Sequence, residues 1–260
     1  MNKEIIRAYS IQTNYYNLGG LKLTHVFVVS WINGTWKNNW NCFGTGAECL
    51  PNAQQVSEGP AYVKWADLIN GPDSAGLRNQ VTGVCHNVAN RLLVLAGIDV
   101  SGADGDAVAI LMYGKYGFNV VQYIERVKAT ANEINSEQPG TISDAEIDDV
   151  INRITGGLTE ESDILERDFQ EKLQPHNENL TDAQKTSLSE IYNDFSTKRQ
   201  QALDAGNQSD QAGDFQNKYA ERMKPIVLQS LTQMLTVLGP DQYKTIFDFS
   251  PEQAAKFLIG

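Results

Sequence analysis

The sequence predicts an α+β domain over residues 1–135 followed by an all-α domain over residues 141–260. A run of β-branched and aromatic residues lies near the N-terminus, whereas every segment after Pro139-Gly140 repeats its apolar residues with helical spacing. Composition changes at the same place. Residues 1–130 hold ten Lys/Arg and nine Asp/Glu, and residues 131–260 hold eleven and twenty-three. These differences indicate two domains of different kinds.

A β-hairpin is predicted near the N-terminus. Residues 21–32 have strand composition, Asn33-Gly34 favours a two-residue turn, and residues 35–42 form the returning strand. This register places Ile32 opposite Thr35 and His25 opposite Cys42. The face that carries His25 then also carries Phe27, Val29, Trp31, Trp36, Asn38 and Trp40. A slip of one residue would move all of these side chains to the other face.

The remaining elements of the first half follow from apolar runs and breakers. Residues 43–60 contain Gly, Pro and Asn and are predicted to form a loop. A helix is expected to begin near Cys85 and to end before Gly97, a typical C-cap. The other predicted elements are a short helix or strand over Tyr62–Ile69, a strand over Val108–Tyr113 and a helix over Val120–Asn135.

Capping signals divide the second half into helices. Ser143 and Glu146 form the pattern of a capping box before a helix over Asp144–Ile154. Leu180-Thr-Asp-Ala-Gln184 has the same spacing of cap residue and Gln, and weaker copies end at Gln242 and Gln253. Further helices are predicted at about 159–173, 181–204, 211–237 and 241–247, with a short one after Ser250.

Charge and hydropathy exclude some functions. A net charge of −11 opposes non-specific nucleic-acid binding, which requires cationic side chains against phosphates. We expect no membrane span and no secretory signal, because no apolar run is long enough and the N-terminus has no apolar core. Cys42 and Cys49 are close enough for a disulfide, which would leave Cys85 free, but three reduced thiols fit the sequence equally well.

Cys85 is the strongest candidate for chemistry. Thr82 is predicted to cap the helix, which places Cys85 in the first turn, where the helix dipole favours a thiolate. His25 on the predicted strand is the best candidate base, and Asn38 on the same face is the candidate third group. The alternative is a structural role, because free cysteine is among the most buried residue types.

Three further residues are predicted to contact substrate. Trp36 and Trp40 lie on the predicted face of His25, and His86 adjoins Cys85, although aromatic residues at strand spacing are more often core. No metal site is expected, since Cys-x-x-Cys and His-x₃-His spacings are absent. Gly-rich phosphate loops are absent as well, so no cofactor is expected.

The order of the two motifs carries a resemblance. His25-Val-Phe-Val-Val precedes Gly83-Val-Cys85-His-Asn, an order that resembles the circularly permuted NlpC/P60-like, papain-like enzymes over about residues 20–97. The resemblance implies an α+β papain-like domain with Cys85 as nucleophile and His25 as general base. It also implies an amidase, peptidase or acyltransferase that acts through a thioester on a peptide-like, cell-wall or acyl substrate.

The second half resembles a different family. Leu180-Thr-Asp-Ala-Gln184 matches the LTxxQ motif of the helical Spy/CpxP-type envelope proteins. That resemblance implies a chaperone-like or binding module with a protein partner and favours a bacterial periplasmic or secreted location. A non-enzymatic binding protein is therefore the alternative function. A cationic partner for the acidic helices is a further expectation, which salt dependence would reveal.

Overall fold

The computed structural model describes most of the chain in several stretches. They are residues 2–13, 23–32, 35–40, 51–78, 81–100, 103, 105–209 and 215–247. The predicted disulfide of Cys42 with Cys49 and the predicted helix after Ser250 lie outside the described residues, as does the cap at Gln253.

Four antiparallel strands form one sheet. They are Glu4–Thr13 (β1), Leu23–Ile32 (β2), Thr35–Trp40 (β3) and Gln54–Ala61 (β4), in the spatial order β3-β2-β1-β4. The sequence did not predict β1, and the predicted loop over residues 43–60 is wrong where β4 forms. The side chains of β4 are mostly exposed or half-buried, and its partner β1 is about fifty residues away. Pairing with β1, rather than local composition, therefore makes this segment a strand.

The predicted hairpin forms with one irregularity. Ile32 pairs with Thr35 as expected, but the register shifts by one residue further along, so that Val29 pairs with Asn39 and Val28 with Trp40. Trp40 consequently packs in the core with Val28. The expectation that Trp40 shares the face of His25 is therefore wrong, because one inserted residue turns the following side chains to the other face.

Helices make up most of the rest of the described chain. In chain order they are Val63–Asn70 (α1), Cys85–Leu93 (α2), Asp106–Tyr113 (α3), Val120–Glu137 (α4), Asp144–Thr155 (α5), Glu161–Leu173 (α6), Asp182–Ser209 (α7) and Phe215–Phe247 (α8). An N-terminal antiparallel sheet followed by helices agrees with the coarse fold class. The strand predicted over Val108–Tyr113 is wrong, since this segment lies within α3. All eight residues of α3 are buried, and periodicity does not distinguish a buried helix from a buried strand.

One hydrophobic core lies between the sheet and the helices. Val26 and Val28 of β2 share it with Cys85 and Val88 of α2, so α2 covers this face of the sheet. Trp65 of α1 is also buried in this core. Residues from α4 and α5 join the same core. The first of the second-half helices thus shares a core with the sheet, while the boundaries at 135 and 141 stay predictions.

A second core joins the remaining helices. It contains α3 residues such as Leu111 together with Phe169 of α6, Phe195 of α7 and Leu231 of α8. Phe118, which precedes α4, belongs to this core too. Because α3 and Phe118 come from the first half of the chain, the two halves are joined by buried apolar surface.

Two of the predicted capping signals of the second half are confirmed. Ser143 and Glu146 form the predicted capping box, and Gln184 and Thr181 form a second one in which each side chain bonds the other's backbone N–H. Within α8 the backbone is non-helical at Gly239, so two helical segments meet there in a kink between the helices predicted at 211–237 and 241–247. Among the described residues, none of the helices is both long enough and apolar enough to cross a membrane.

Candidate active site

Cys85 is the first residue of α2 and is 5 % exposed. The predicted cap is wrong in detail: the N-cap residue is Val84, and Thr82 instead accepts a hydrogen bond at Oγ1 from the N–H of Arg78 at 2.8 Å. Asn87 closes the first turn, because its Oδ1 accepts a hydrogen bond from the backbone N–H of Val84 at 2.9 Å. Cys85 nevertheless occupies the first turn, where the backbone N–H groups favour a thiolate.

The polar side of α2 fixes the position of this turn. Asn87 donates from Nδ2 to the carbonyl oxygen of Gly114 at 2.8 Å, and Asn90 donates to that of Lys115 at 3.0 Å. Arg91 donates to three further carbonyl oxygens at 2.6–2.7 Å. These buried amides and the guanidinium donate to carbonyl groups of residues 114–118 and of Ala75, so they hold the start of the helix against these segments.

His25 lies on the opposite face of the sheet from α2. Its ring stacks on Phe27 with centroids 6.0 Å apart, and Phe27 forms a small apolar cluster with Tyr9 and Val29. Cys85 packs with the alternate residues of the same strand, on the other face. The structure therefore does not bring the predicted pair together in one layer, because side chains alternate along β2.

His86 is the histidine whose ionisation is coupled to Cys85. It is fully buried, and its Nδ1 lies 3.7 Å from Oδ1 of Asp106. Burial lowers the pKa of His86, but Asp106, the charge of Cys85 and the backbone of Thr24 favour the charged form and raise the pKa above its usual value. His86 is predicted to contact substrate, but in the structure its side chain is fully buried. In its protonated form it places a positive charge beside the thiol.

Asp106 connects this histidine to the helical half. Its Oδ2 accepts a hydrogen bond from Nζ of Lys172, on α6, at 2.8 Å. Burial raises the pKa of Asp106, but His86 and Lys172 together lower it below its usual value. Asp106 therefore lies between the half-buried ammonium group of Lys172 and the buried imidazole of His86, and the cationic neighbours offset the cost of burying its carboxylate.

These shifts make stability depend on pH in two directions. Since folding raises the pKa of His86, its charged form stabilises the fold fully below about pH 6.5, and that contribution is lost as pH rises through the folded pKa. Since folding lowers the pKa of Asp106, its contribution is present above about pH 3.9 and is lost as pH falls. The pair therefore stabilises the fold most between these two values.

The other predicted site residues are placed only in part. Trp36 and Asn38 belong to β3, but their side chains lie outside the described residues. Trp40 is buried on the α2 face of the sheet, where its Nε1 donates to Oδ1 of Asp67 at 2.7 Å. Trp40 therefore has a structural partner and is 3 % exposed.

Sequence reasoning missed Asp106 and Lys172. Neither residue is among the candidates that the sequence offered, and Lys172 lies 66 residues after Asp106, on an amphipathic helix. One signal was available: an aspartate at the start of the wholly apolar run Ala107–Tyr113 requires a buried partner. The identity of that partner is decided by the packing of α6.

No group of three or more metal-ligating side chains occurs within the part of the chain that the structure describes. Comparison with models of protein families, with curated proteins and with solved structures finds no match to this chain.

Proposed function

We propose that this protein is a cysteine-dependent hydrolase or acyltransferase with Cys85 as nucleophile. One observation supports the proposal: Cys85 begins α2 next to a fully buried histidine whose Nδ1 lies 3.7 Å from Oδ1 of Asp106, a carboxylate that raises the pKa of this histidine. A helix N-terminus and a neighbouring imidazolium are two independent causes of a lowered thiol pKa. A structural cysteine in an apolar core requires neither.

The proposed reaction begins with the Cys85 thiolate. It attacks the carbonyl carbon of an amide or ester, and the carbon–sulfur bond forms as the bond to the leaving amine or alcohol breaks. A protonated imidazole supplies the proton to the leaving group. Water, or an acceptor amine or alcohol, then gives up a proton to the imidazole and attacks the thioester, which releases the acyl product and restores the thiolate.

The two buried histidines have different roles in this proposal. His86 is directed to Asp106 on one side and to the backbone of Thr24 on the other, so it acts as a positioning charge for the thiolate. His25 directly follows Thr24 on β2 and is the proposed proton carrier. Since His25 occupies the other sheet face, proton transfer requires the first residues of β2 to change conformation.

The resemblance to permuted NlpC/P60-like enzymes supports the same assignment. It places a histidine-led strand before a cysteine-led helix, and in this chain β2 and α2 pack against each other. The papain-like character of the fold and a peptide-like or cell-wall substrate belong to this proposal. The alternative, a chaperone-like binding protein that uses the acidic helices, gives a different result in the experiment below.

The test is the rate of Cys85 alkylation by iodoacetamide from about pH 4 to about pH 9, followed on the Cys85 peptide by mass spectrometry. We expect a thiolate that titrates well below the free-cysteine value of about 8.5. In His86→Gln that titration should move upward, because the imidazolium is lost. His176→Gln is the matched control, since His176 lies in the Gln174–Asn179 turn of the helical half, and should leave the profile unchanged.

A second measurement separates the roles of the histidines. Phenyl esters such as p-nitrophenyl acetate should give a burst of one product per chain in the native protein and none in Cys85→Ser. His25→Gln should slow the burst without moving the alkylation profile. A thiol that stays inert until the chain unfolds would overturn the enzyme proposal and favour the binding protein.

A further inference from the structure

A cleft of about 670 Å³ lies between the two halves of the chain. Thr82 and Phe118 line it from the first half, Glu161 lines it at the start of α6, and Arg199 and Gln201 line it from α7. The volume is in the range of small-molecule sites. Thr82 precedes Cys85 by only three residues, but Cys85 does not line the cleft. The cleft is therefore distinct from the thiol.

Arg199 is the unusual residue of this cleft. It is 4 % exposed, and its guanidinium donates to the carbonyl oxygen of Met112 and to Oγ of Ser196, both at 3.1 Å. It also lies over the ring of Phe118, 4.8 Å from the centroid. Among the described residues, no carboxylate forms an ion pair with Arg199. A buried cation whose neighbours are neutral is electrostatically complementary to an anion in the cleft.

The carboxylate of the cleft favours an anion with a single charge. Arg78 is an exposed second cation in the lining. Glu161 is the opposing carboxylate, and its oxygens accept the backbone N–H groups of Asn119 and Val120 at 3.2 and 3.1 Å. A dianion in the cleft would meet more repulsion from Glu161 than a monoanion would.

The remaining lining is suited to an apolar group. Val81, Phe118, Leu165 and Leu203 are buried or half-buried at the cleft surface. We propose that the cleft binds a small carboxylate with an aromatic or aliphatic body, whose carboxylate pairs with Arg199 and whose body covers the apolar wall. This site does not depend on thiol chemistry at Cys85. It is formed by both halves, so its ligand stabilises their association.

The test is calorimetric titration of the full chain with phenylpropionate at low ionic strength. Phenylpropanamide is the uncharged analogue, and phenylethyl phosphate, whose second pKa is about 6, is the dianion at about pH 8, where the titrations are done. We expect phenylpropionate to bind at least about tenfold more tightly than the amide, as the loss of one charge-assisted contact predicts. The phosphate should bind more weakly than the carboxylate. Equal binding of carboxylate and amide would refute the role of the charge, and no binding of any probe would refute the site.

Substitution of an exposed lining residue tests the location without disturbing the core. Gln201→Glu should weaken phenylpropionate binding roughly fivefold, and Gln201→Lys should strengthen it, because a charge is added at the edge of the cleft. Thr186→Glu is the matched control, as it adds the same charge on α7 at a residue that does not line the cleft. If both acidic variants weaken binding equally, only the net charge matters and the site is wrong. A normal Cys85 alkylation profile throughout would show that this result and the thiol proposal are independent.

Discussion

Arg91 offers the sharpest test of how the candidate active site is held in place. Its guanidinium donates to the carbonyl oxygens of Ala75, Tyr116 and Phe118 at 2.6–2.7 Å and lies 4.5 Å from the ring centroid of Tyr123. Burial lowers the pKa of Arg91 to about 10, so the group is charged at neutral pH. In Arg91→Met the volume is largely kept, but three buried carbonyl groups lose their donor.

The expected cost follows from these three contacts. A buried acceptor left without its donor costs about 1–3 kcal/mol, which gives roughly 3–9 kcal/mol before the relief of exposing the guanidinium to water is subtracted. We expect a net loss of at least about 3 kcal/mol, a large part of the roughly 5–15 kcal/mol that stabilises a typical domain. Arg91→Lys should lose less, because one ammonium group reaches some of these oxygens but does not span all three.

The assay is urea unfolding followed by circular dichroism, with free energies of unfolding compared at equal m-values. Arg153→Met is the matched control: Arg153 is exposed and pairs with Asp149 one helical turn away. Its loss should cost less than about 1 kcal/mol. If Arg91→Met and Arg153→Met lower the free energy of unfolding equally, the three carbonyl groups do not depend on Arg91 and the argument fails.

Three further predictions concern charge and capping. In the native protein the free energy of unfolding should fall as pH rises through the raised pKa of His86. His86→Gln should remove that part of the pH profile in urea titrations, and an unchanged profile would show that the interaction of His86 with Asp106 does not cause the pH dependence. Glu161→Gln should lower the melting temperature, at a cost of about 1 kcal/mol, because the carboxylate of Glu161 caps the N–H groups that begin α4. Glu160→Gln is the control, and equal effects of the two substitutions would contradict the cap. Gln184→Ala should lower the free energy of unfolding in urea by about 1–2 kcal/mol, since Gln184 both caps α7 and donates to Gln242 at 2.9 Å. A double-mutant cycle with Gln242→Ala should show coupling between the two residues, and additive effects would contradict the contact.

The sequence by itself determined the features whose causes are local. A capping box joins Ser143 to a residue three positions away, so its hydrogen bonds form from the chain's own neighbours. The turn between β2 and β3 is also local, and Ile32 pairs with Thr35 as predicted. The position of Cys85 in the first turn of a helix followed from the same kind of reasoning, although a different residue caps that helix.

The tertiary structure alone decided the features whose causes are remote. Strand β4 forms because β1 pairs with it from about fifty residues away, and α3 was mistaken for a strand because its surroundings bury every side. A one-residue irregularity in β3 turned Trp40 to the face opposite His25. The charge that Asp106 and Lys172 contribute beside His86 depends on the packing of α6, a contact that no local pattern encodes. Long-range packing, rather than local propensity, therefore determines the electrostatic surroundings of Cys85.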